Sequence, residues 1–252
     1  MPKDRGIDKV DAYFGDFTKI IAERIKRKGR VRILDAGCGY GVAMMGFVKR
    51  FGEGVEMEGY NYSRNDGDTA KMKEQAVEKG IFTEKELAKV RNLPRIIYCD
   101  ASKRLPFPAR SFDFIYSMAS LYLYDDKIGF LEECNRILKK DGIARISPAF
   151  LGVKREKTPE YYRDYWEVFD KGKEVKIWNY ANRIRGVRAV WQNRGNGDKP
   201  MYIELTGRHK IDFGLRLVSS IDYNFLWKEW AGVKSIYTTQ SEKSFKPKWK
   251  VK

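Results

Sequence analysis

Residues 31–41, Val-Arg-Ile-Leu-Asp-Ala-Gly-Cys-Gly-Tyr-Gly, run a short apolar segment straight into an aspartate and three alternating glycines. Glycine lets a backbone turn sharply and lets a ligand approach with no Cβ in the way, and a helix after such a turn offers unpaired N–H groups. The stretch therefore reads as a ligand cradle. A nicotinamide site would want Gly-x-Gly-x-x-Gly, but the last of those positions is Val42. A P-loop is excluded because no Gly-Lys-Ser/Thr follows. His209 is the lone histidine and could serve as a general base, yet it stands in the polar run Gly207-Arg208-His209-Lys210, where surface exposure is the ordinary explanation. With no histidine or cysteine cluster near it, no metal site is expected.

The elements that must position these residues follow from periodicity. Apolar side chains at Val10, Phe14, Phe17, Ile20, Ile21 and Ile25 predict a helix over 8–28 with one buried face. Val31–Leu34 reads as a strand and Val42–Phe51 as the helix after the glycines. Val55–Tyr60, Arg95–Cys99, Phe112–Met118 and Ile143–Ser147 are further strands, with helices over Thr69–Lys79, Thr83–Arg91 and Lys127–Leu138. Thr83 and Glu86 have capping-box spacing, and Lys139–Gly142 predicts a turn that ends the last helix. Strands alternating with helices of this length imply an α/β fold with a doubly wound, mostly parallel, Rossmann-like sheet flanked by helices. In such sheets ligands bind at the carboxyl ends of the strands. The glycine turn, Asn61, Asp100 and Met118 all fall on that edge.

From Leu151 onward the composition changes, and all six tryptophans lie there: Trp166, Trp178, Trp191, Trp227, Trp230 and Trp249. Residues 160–170 are a candidate helix, Val187–Gln192 and Met201–Gly207 candidate strands, and 195–198 a turn. We divide the chain into an α/β core with its N-terminal helix, 1–150, and a C-terminal elaboration, 151–252, that completes the sheet and faces substrate. The 252 residues carry a formal charge of +16. The excess is concentrated in the second part, which favours an anionic partner such as RNA or else reflects a solvated lysine-rich surface. Cys38, Cys99 and Cys134 form no C-x-x-C pair and are expected as free, mostly buried thiols. With no apolar run near 20 residues and no signal-peptide core, a cytoplasmic protein is the default expectation.

Leu34-Asp35-Ala36-Gly37-Cys38-Gly39-Tyr40-Gly41 resembles the first motif of class I S-adenosylmethionine-dependent methyltransferases. Tyr98-Cys99-Asp100-Ala101, Leu105-Pro106-Phe107, Ser111-Phe112-Asp113 and Asn135-Arg136-Ile137-Leu138-Lys139-Lys140-Asp141-Gly142 follow in that family's order, so the resemblance covers residues 30–147. It implies S-adenosylmethionine as cofactor and S-adenosylhomocysteine as product. Gly37, Gly39 and Gly41, with Ala36 and Cys38 between and before them, would line the methionine and ribose end, and Asp35 would orient the amino group directly or through water. Asp100 and Ala101 would address the adenine, and Met118 would lie near the methionine portion. Asp35 and Asp100 could instead merely cap turns. The second strand usually ends in an acid that binds the ribose diol; here Asn61 stands there, with Glu58 the alternative if the register differs. Tyr62 would pack on the adenine face or in the core.

No obligatory catalytic residue follows from the resemblance, since alignment supplies much of methyl transfer. Tyr122 is placed to face substrate, and Tyr13 and Phe14 could close over the cofactor; each could equally be packing. The reading favoured is transfer to a small-molecule acceptor gripped by the C-terminal aromatics. The alternatives are an RNA or protein methyltransferase using the basic C-terminal part, or a non-catalytic S-adenosylmethionine-binding partner protein.

Overall fold

A computed structural model describes residues 5–147, 166–191, 201–224, 231–241 and 244–245. The apolar stripe expected of one N-terminal helix is divided between α1 (Ile7–Phe14) and α2 (Phe17–Lys28). Gly15, at φ 74°, breaks them apart. Thr18 N–H then donates to the Asp11 carboxylate at 2.8 Å across the break. Val10, Phe14, Phe17 and Ile21 are all fully buried, so the stripe serves one core despite the kink. Each such side chain contributes about 1.5–3 kcal/mol by leaving water.

The first sheet has the order β3-β2-β1-β4-β5-β9-β8. It comprises β1 (Val31–Ala36), β2 (Val55–Asn61), β3 (Arg95–Tyr98), β4 (Phe112–Ser117), β5 (Leu138–Ile146), β8 (Val187–Trp191) and β9 (Met201–Thr206). Strands β1 to β5 run parallel, whereas β9 is antiparallel to both of its neighbours. Helices α3 (Val42–Phe51), α4 (Thr69–Glu78) and α6 (Lys127–Ile137) connect them. The order reverses between β1 and β4, which makes that junction the switch point where a crevice opens.

Two expectations shift within this sheet. The helix anticipated over 83–91 contracts to α5 (Glu84–Leu87). Its capping box forms as read, but Asn92 turns its amide onto the Gly52 and Val55 carbonyls at 2.8 and 2.9 Å, tying the following segment down. Lys139–Gly142 is no terminating turn. Strand β5 begins at Leu138, and these four residues bulge between the pairs Phe112↔Leu138 and Phe114↔Ile143. Lys139 anchors the bulge on the buried Asp113 at 2.7 Å.

The C-terminal part contributes β8 and β9 to the first sheet and also builds a second one. That sheet has the order β10-β11-β6-β7, from β6 (Trp166–Asp170), β7 (Lys173–Val175), β10 (Arg216–Asn224) and β11 (Ala231–Thr238). The helix expected over 160–170 is therefore a strand from Trp166 on, because β6 pairs in parallel with β11; residues 160–165 lie outside the described ones, as do 195–198. The short helix α7 (Ile177–Ala181) links β7 to β8. Lys127, fully buried at the start of α6, fastens the second sheet to the first. Its Nζ donates to the carbonyls of Tyr124 and Val233 and to Ser235 Oγ, each at 2.7 Å. Tyr237 accepts from the Lys127 N–H at 2.7 Å, so a strand of one sheet satisfies a helix end of the other.

Candidate functional site

Gly37, Gly39 and Gly41 all adopt left-handed φ values, at 78°, 55° and 70°. A side chain at Gly37 would also have no room, since its Cβ would stand 2.5 Å from that of Ser120. The turn is closed by its own surroundings. Gly37 and Cys38 N–H both donate to the Tyr60 carbonyl at 3.1 and 3.0 Å, and Gly41 N–H donates to Cys38 at 2.9 Å. Asn61 completes it: its Oδ1 accepts from Gly39 N–H at 2.8 Å, and its Nδ2 donates to the carbonyls of Gly39 and Gly67 at 2.9 and 3.0 Å. The N–H groups of Gly37, Cys38, Gly39 and Gly41 are thus engaged within the protein.

A crevice of about 520 Å³ opens over this turn. It brings together Gly37, Gly39, Asn61, Tyr62, Asp100, Ala101 and Met118 from the residues singled out in the sequence. Asp35, Ala36, Cys38 and Gly41 do not line it. Asp35 is buried beneath, where its carboxylate accepts from Tyr116 OH at 2.8 Å and burial pushes its pKa up to about 7. Ala36 gives its carbonyl to Ser120, and burial, with Asp35 and Asp66 nearby, raises the Cys38 thiol. Tyr62 is 75% exposed at the mouth rather than packed in a core. Glu58 of β2 pairs with Arg32 of the neighbouring β1 and is absent from the crevice lining.

The structure corrects the catalytic candidates. Tyr122 is buried: it sits in a 3-10 turn, Leu121–Leu123, where successive side chains point about 120° apart. Its neighbours Leu123 and Tyr124 face the crevice instead. Tyr13 and Phe14 belong to the buried face of α1, with Phe14 against Tyr116 and Tyr202. His209 follows β9, whose end pairs with the start of β5, so it lies at the sheet edge opposite the crevice. Nor do the described tryptophans line the crevice. Trp166 packs near Tyr237, and Trp178 meets Trp191 edge to face at 5.4 Å; Trp227, Trp230 and Trp249 lie outside the described residues.

Sequence reasoning missed Tyr60, Asp66, Ser120, Leu123, Tyr124 and Asp125, all of which line the crevice, together with Val233 of the second sheet. Proton counting fixes the polarity of the hydroxyls. Ser120 Oγ donates its one proton to the Ala36 carbonyl at 2.9 Å, so it must accept from Tyr124 OH at 2.9 Å. Tyr124 must in turn accept from Tyr60 OH at 3.0 Å. This wall offers lone pairs, not protons, to a ligand. Asp66, Asp100 and Asp125 add carboxylates to it, and Arg5 a single guanidinium. A crevice so rich in acceptors fits a ligand rich in N–H and O–H donors and carrying positive charge, as S-adenosylmethionine is.

Comparison with known proteins agrees with this chemistry. Residues 34–146 match the family model of the methyltransferase domain. No match was found among curated proteins. Similar solved structures include a proposed sarcosine dimethylglycine methyltransferase from Galdieria sulphuraria, at 24% identity and TM-score 0.39, covering 51% of this chain and 45% of that one. Another is a SAM-dependent methyltransferase from Aquifex aeolicus, at 18% identity and TM-score 0.46, covering 73% and 88%. A third is phosphoethanolamine N-methyltransferase 2 of Haemonchus contortus, at 22% and 0.36, covering 51% and 27%. The chain thus spans less than half the length of the first and third. The matched residues 34–146 hold the glycine turn and the strands that carry the crevice, so the part of the chain that carries the site is similar to a methyltransferase domain.

Proposed function

We propose that the protein methylates a small-molecule acceptor in the crevice between the glycine turn and the second sheet. The observation that carries this reading is a charge contrast: a chain of net charge +16 lines this crevice with three carboxylates, Asp66, Asp100 and Asp125, against one guanidinium, Arg5. A polyanion such as RNA entering it would meet carboxylates, whereas a compact neutral or cationic acceptor would not. The volume is also in the range of small-molecule sites. Leu123 and Tyr62 are the large apolar side chains left exposed among the described residues, and both stand at its mouth, so they can cover an organic ligand.

In this reading Gly37 and Gly39 hold the methionine end of the cofactor, Asp100 and Ala101 the adenine, and Met118 the methionine portion from the β4 side. When bound, S-adenosylmethionine supplies an electrophilic methyl on a sulfonium, which an acceptor lone pair displaces in line. The fixed wall of Tyr60, Tyr124 and Ser120 orients positive groups and gives no proton to the acceptor. Val233 and Leu123 exclude water from the side where an acceptor would enter. The division into a 1–150 core and a 151–252 substrate-facing part is retained in this functional sense.

Incubation with methyl-labelled S-adenosylmethionine and separate pools of small amines, phenols, acids and RNA tests this reading. Label in a small-molecule pool, insensitive to moderate salt, supports it. Label in RNA alone, lost as salt rises, replaces it with the RNA reading.

A further inference from the structure

Tyr124, Asp125 and Val233 line the crevice, the first two from the loop after β4 and the third from the second sheet. One buried side chain ties all three together. Lys127 Nζ donates to the carbonyls of Tyr124 and Val233 and to Ser235 Oγ, each at 2.7 Å. Ser235 gives its one hydroxyl proton to the Asp125 carbonyl at 2.7 Å, so toward Lys127 it can only accept. All three partners of the nitrogen are therefore acceptors. An ammonium has three protons to meet them, whereas a neutral amine has two and turns a lone pair toward the third oxygen. The joint between crevice wall and roof is complete only while Lys127 is charged.

Among the described residues, the titratable groups beside this nitrogen are Tyr124, Asp125 and Asp126 on the loop before α6 and Tyr237 on β11. Burial raises both phenols well above their ordinary range, so neither ionises near neutral pH. Asp126 caps α6, accepting from Gly129 N–H at 2.8 Å and from Tyr237 OH at 3.3 Å. Lys234 falls on the opposite face of β11 by strand alternation and pairs with Glu167 at 2.5 Å. Asp125 and Asp126 favour the ammonium, yet burial outweighs them and lowers the Lys127 pKa to about 7. The proton count of the joint therefore changes in the neutral range.

We propose that Lys127 is a positioning residue of the crevice: its ammonium clasps Val233 and Ser235 of the second sheet to Tyr124 and Asp125, and the roof loosens when the nitrogen loses one proton. This rests on the proposed placement of the cofactor in that crevice. A ligand that needs the closed roof favours the charged clasp, so by linkage it raises the proton affinity of Lys127, and its own binding weakens as pH rises through the neutral range. NMR of the full chain carrying carbon-13 at lysine Cε, across about pH 5–10 with and without S-adenosylhomocysteine, tests it. One lysine signal, identified by its loss in Lys127→Arg or Lys127→Met, should titrate near neutrality in the free protein. Saturating S-adenosylhomocysteine should raise its midpoint by about half to one pH unit, a three- to tenfold change on the scale of one net hydrogen bond. Asp35 titrates in the same range but carries no lysine carbon and stays out of the spectrum. Calorimetry should show the same factor: between pH 6 and pH 8 wild type should lose affinity for S-adenosylhomocysteine relative to Lys127→Arg, whose charge persists. A midpoint unmoved at saturation overturns the clasp, as does a Lys127 signal that titrates in the ordinary lysine range. Absence of S-adenosylhomocysteine binding in calorimetry at every pH overturns the placement of the cofactor itself.

Discussion

Asn61 grips both polar atoms of Gly39, taking its N–H at 2.8 Å and giving to its carbonyl at 2.9 Å. An amide can do this because it has a donor and an acceptor side by side; a carboxylate cannot. Asn61→Asp would set an anion against the carbonyls of Gly39 and Gly67. The expected outcome is lower thermal stability and at least about tenfold weaker S-adenosylhomocysteine binding, from the loss of two hydrogen bonds. Differential scanning fluorimetry and titration check it; tighter binding by the aspartate variant would refute this view of the turn.

Gly37 and Gly29 share φ 78°, but only Gly37 is crowded; nothing stands within 4 Å of a Cβ built on Gly29. Gly29→Ala should therefore cost only the left-handed backbone, about 1–2 kcal/mol. Gly37→Ala must add displacement of Ser120, and with it the hydroxyl wall. Chemical denaturation of both variants should rank them clearly, and only Gly37→Ala should lose cofactor binding.

Burial lowers the pKa of Lys127 to about 7, against the pull of Asp125 and Asp126. An unfolded lysine keeps its proton to about 10.4. Between these values the unfolded chain binds more protons than the folded one, so this group's contribution to stability should rise with pH from about 7 to about 10. Lys127→Met should remove that rise. It should also destabilise by about 2–5 kcal/mol, because two carbonyls and Ser235 lose their donor. Urea denaturation across pH 6–10 measures both effects.

Asp35 moves in the opposite sense, its pKa raised to about 7 by burial against the hydrogen bond from Tyr116. From about pH 4 to 7 the folded chain holds a proton that the unfolded chain has released, so stability falls through that window and levels above it. Asp35→Asn should be flat there. Wild type and variant compared at pH 5 and pH 8 give the test: the wild type should lose more between the two.

Much of the first sheet could be read in the sequence because its signals are local. Apolar runs ending in Gly37, Asn61 and Asp100 announce strands that end at a crevice, and the 3.6-residue spacing of Val42–Phe51 reproduces α3 to the residue. The Gly15 break escaped notice because the apolar stripe runs through it unaltered. Tyr122 and Tyr124 look alike in sequence; only the rotation of a 3-10 turn separates a buried ring from a crevice wall. Asp66 carried a faint signal, the Ser63-x-x-Asp66 capping pattern, with nothing to say that it bordered a ligand site. The second sheet was illegible for a different reason. Its central pairing joins Trp166 to Ser235, and no local periodicity specifies a partner that far along the chain.

The path of the chain between the two sheets has its own consequence. After β5 it enters the second sheet for β6 and β7, returns to the first for β8 and β9, and leaves again for β10 and β11. Strand β6 then waits for β11, which the ribosome delivers some sixty residues later. During synthesis the glycine turn is complete long before Val233 arrives to roof the crevice. The two sheets are woven rather than strung, so a cut after β5 would take two strands from the first sheet together with the whole of the second.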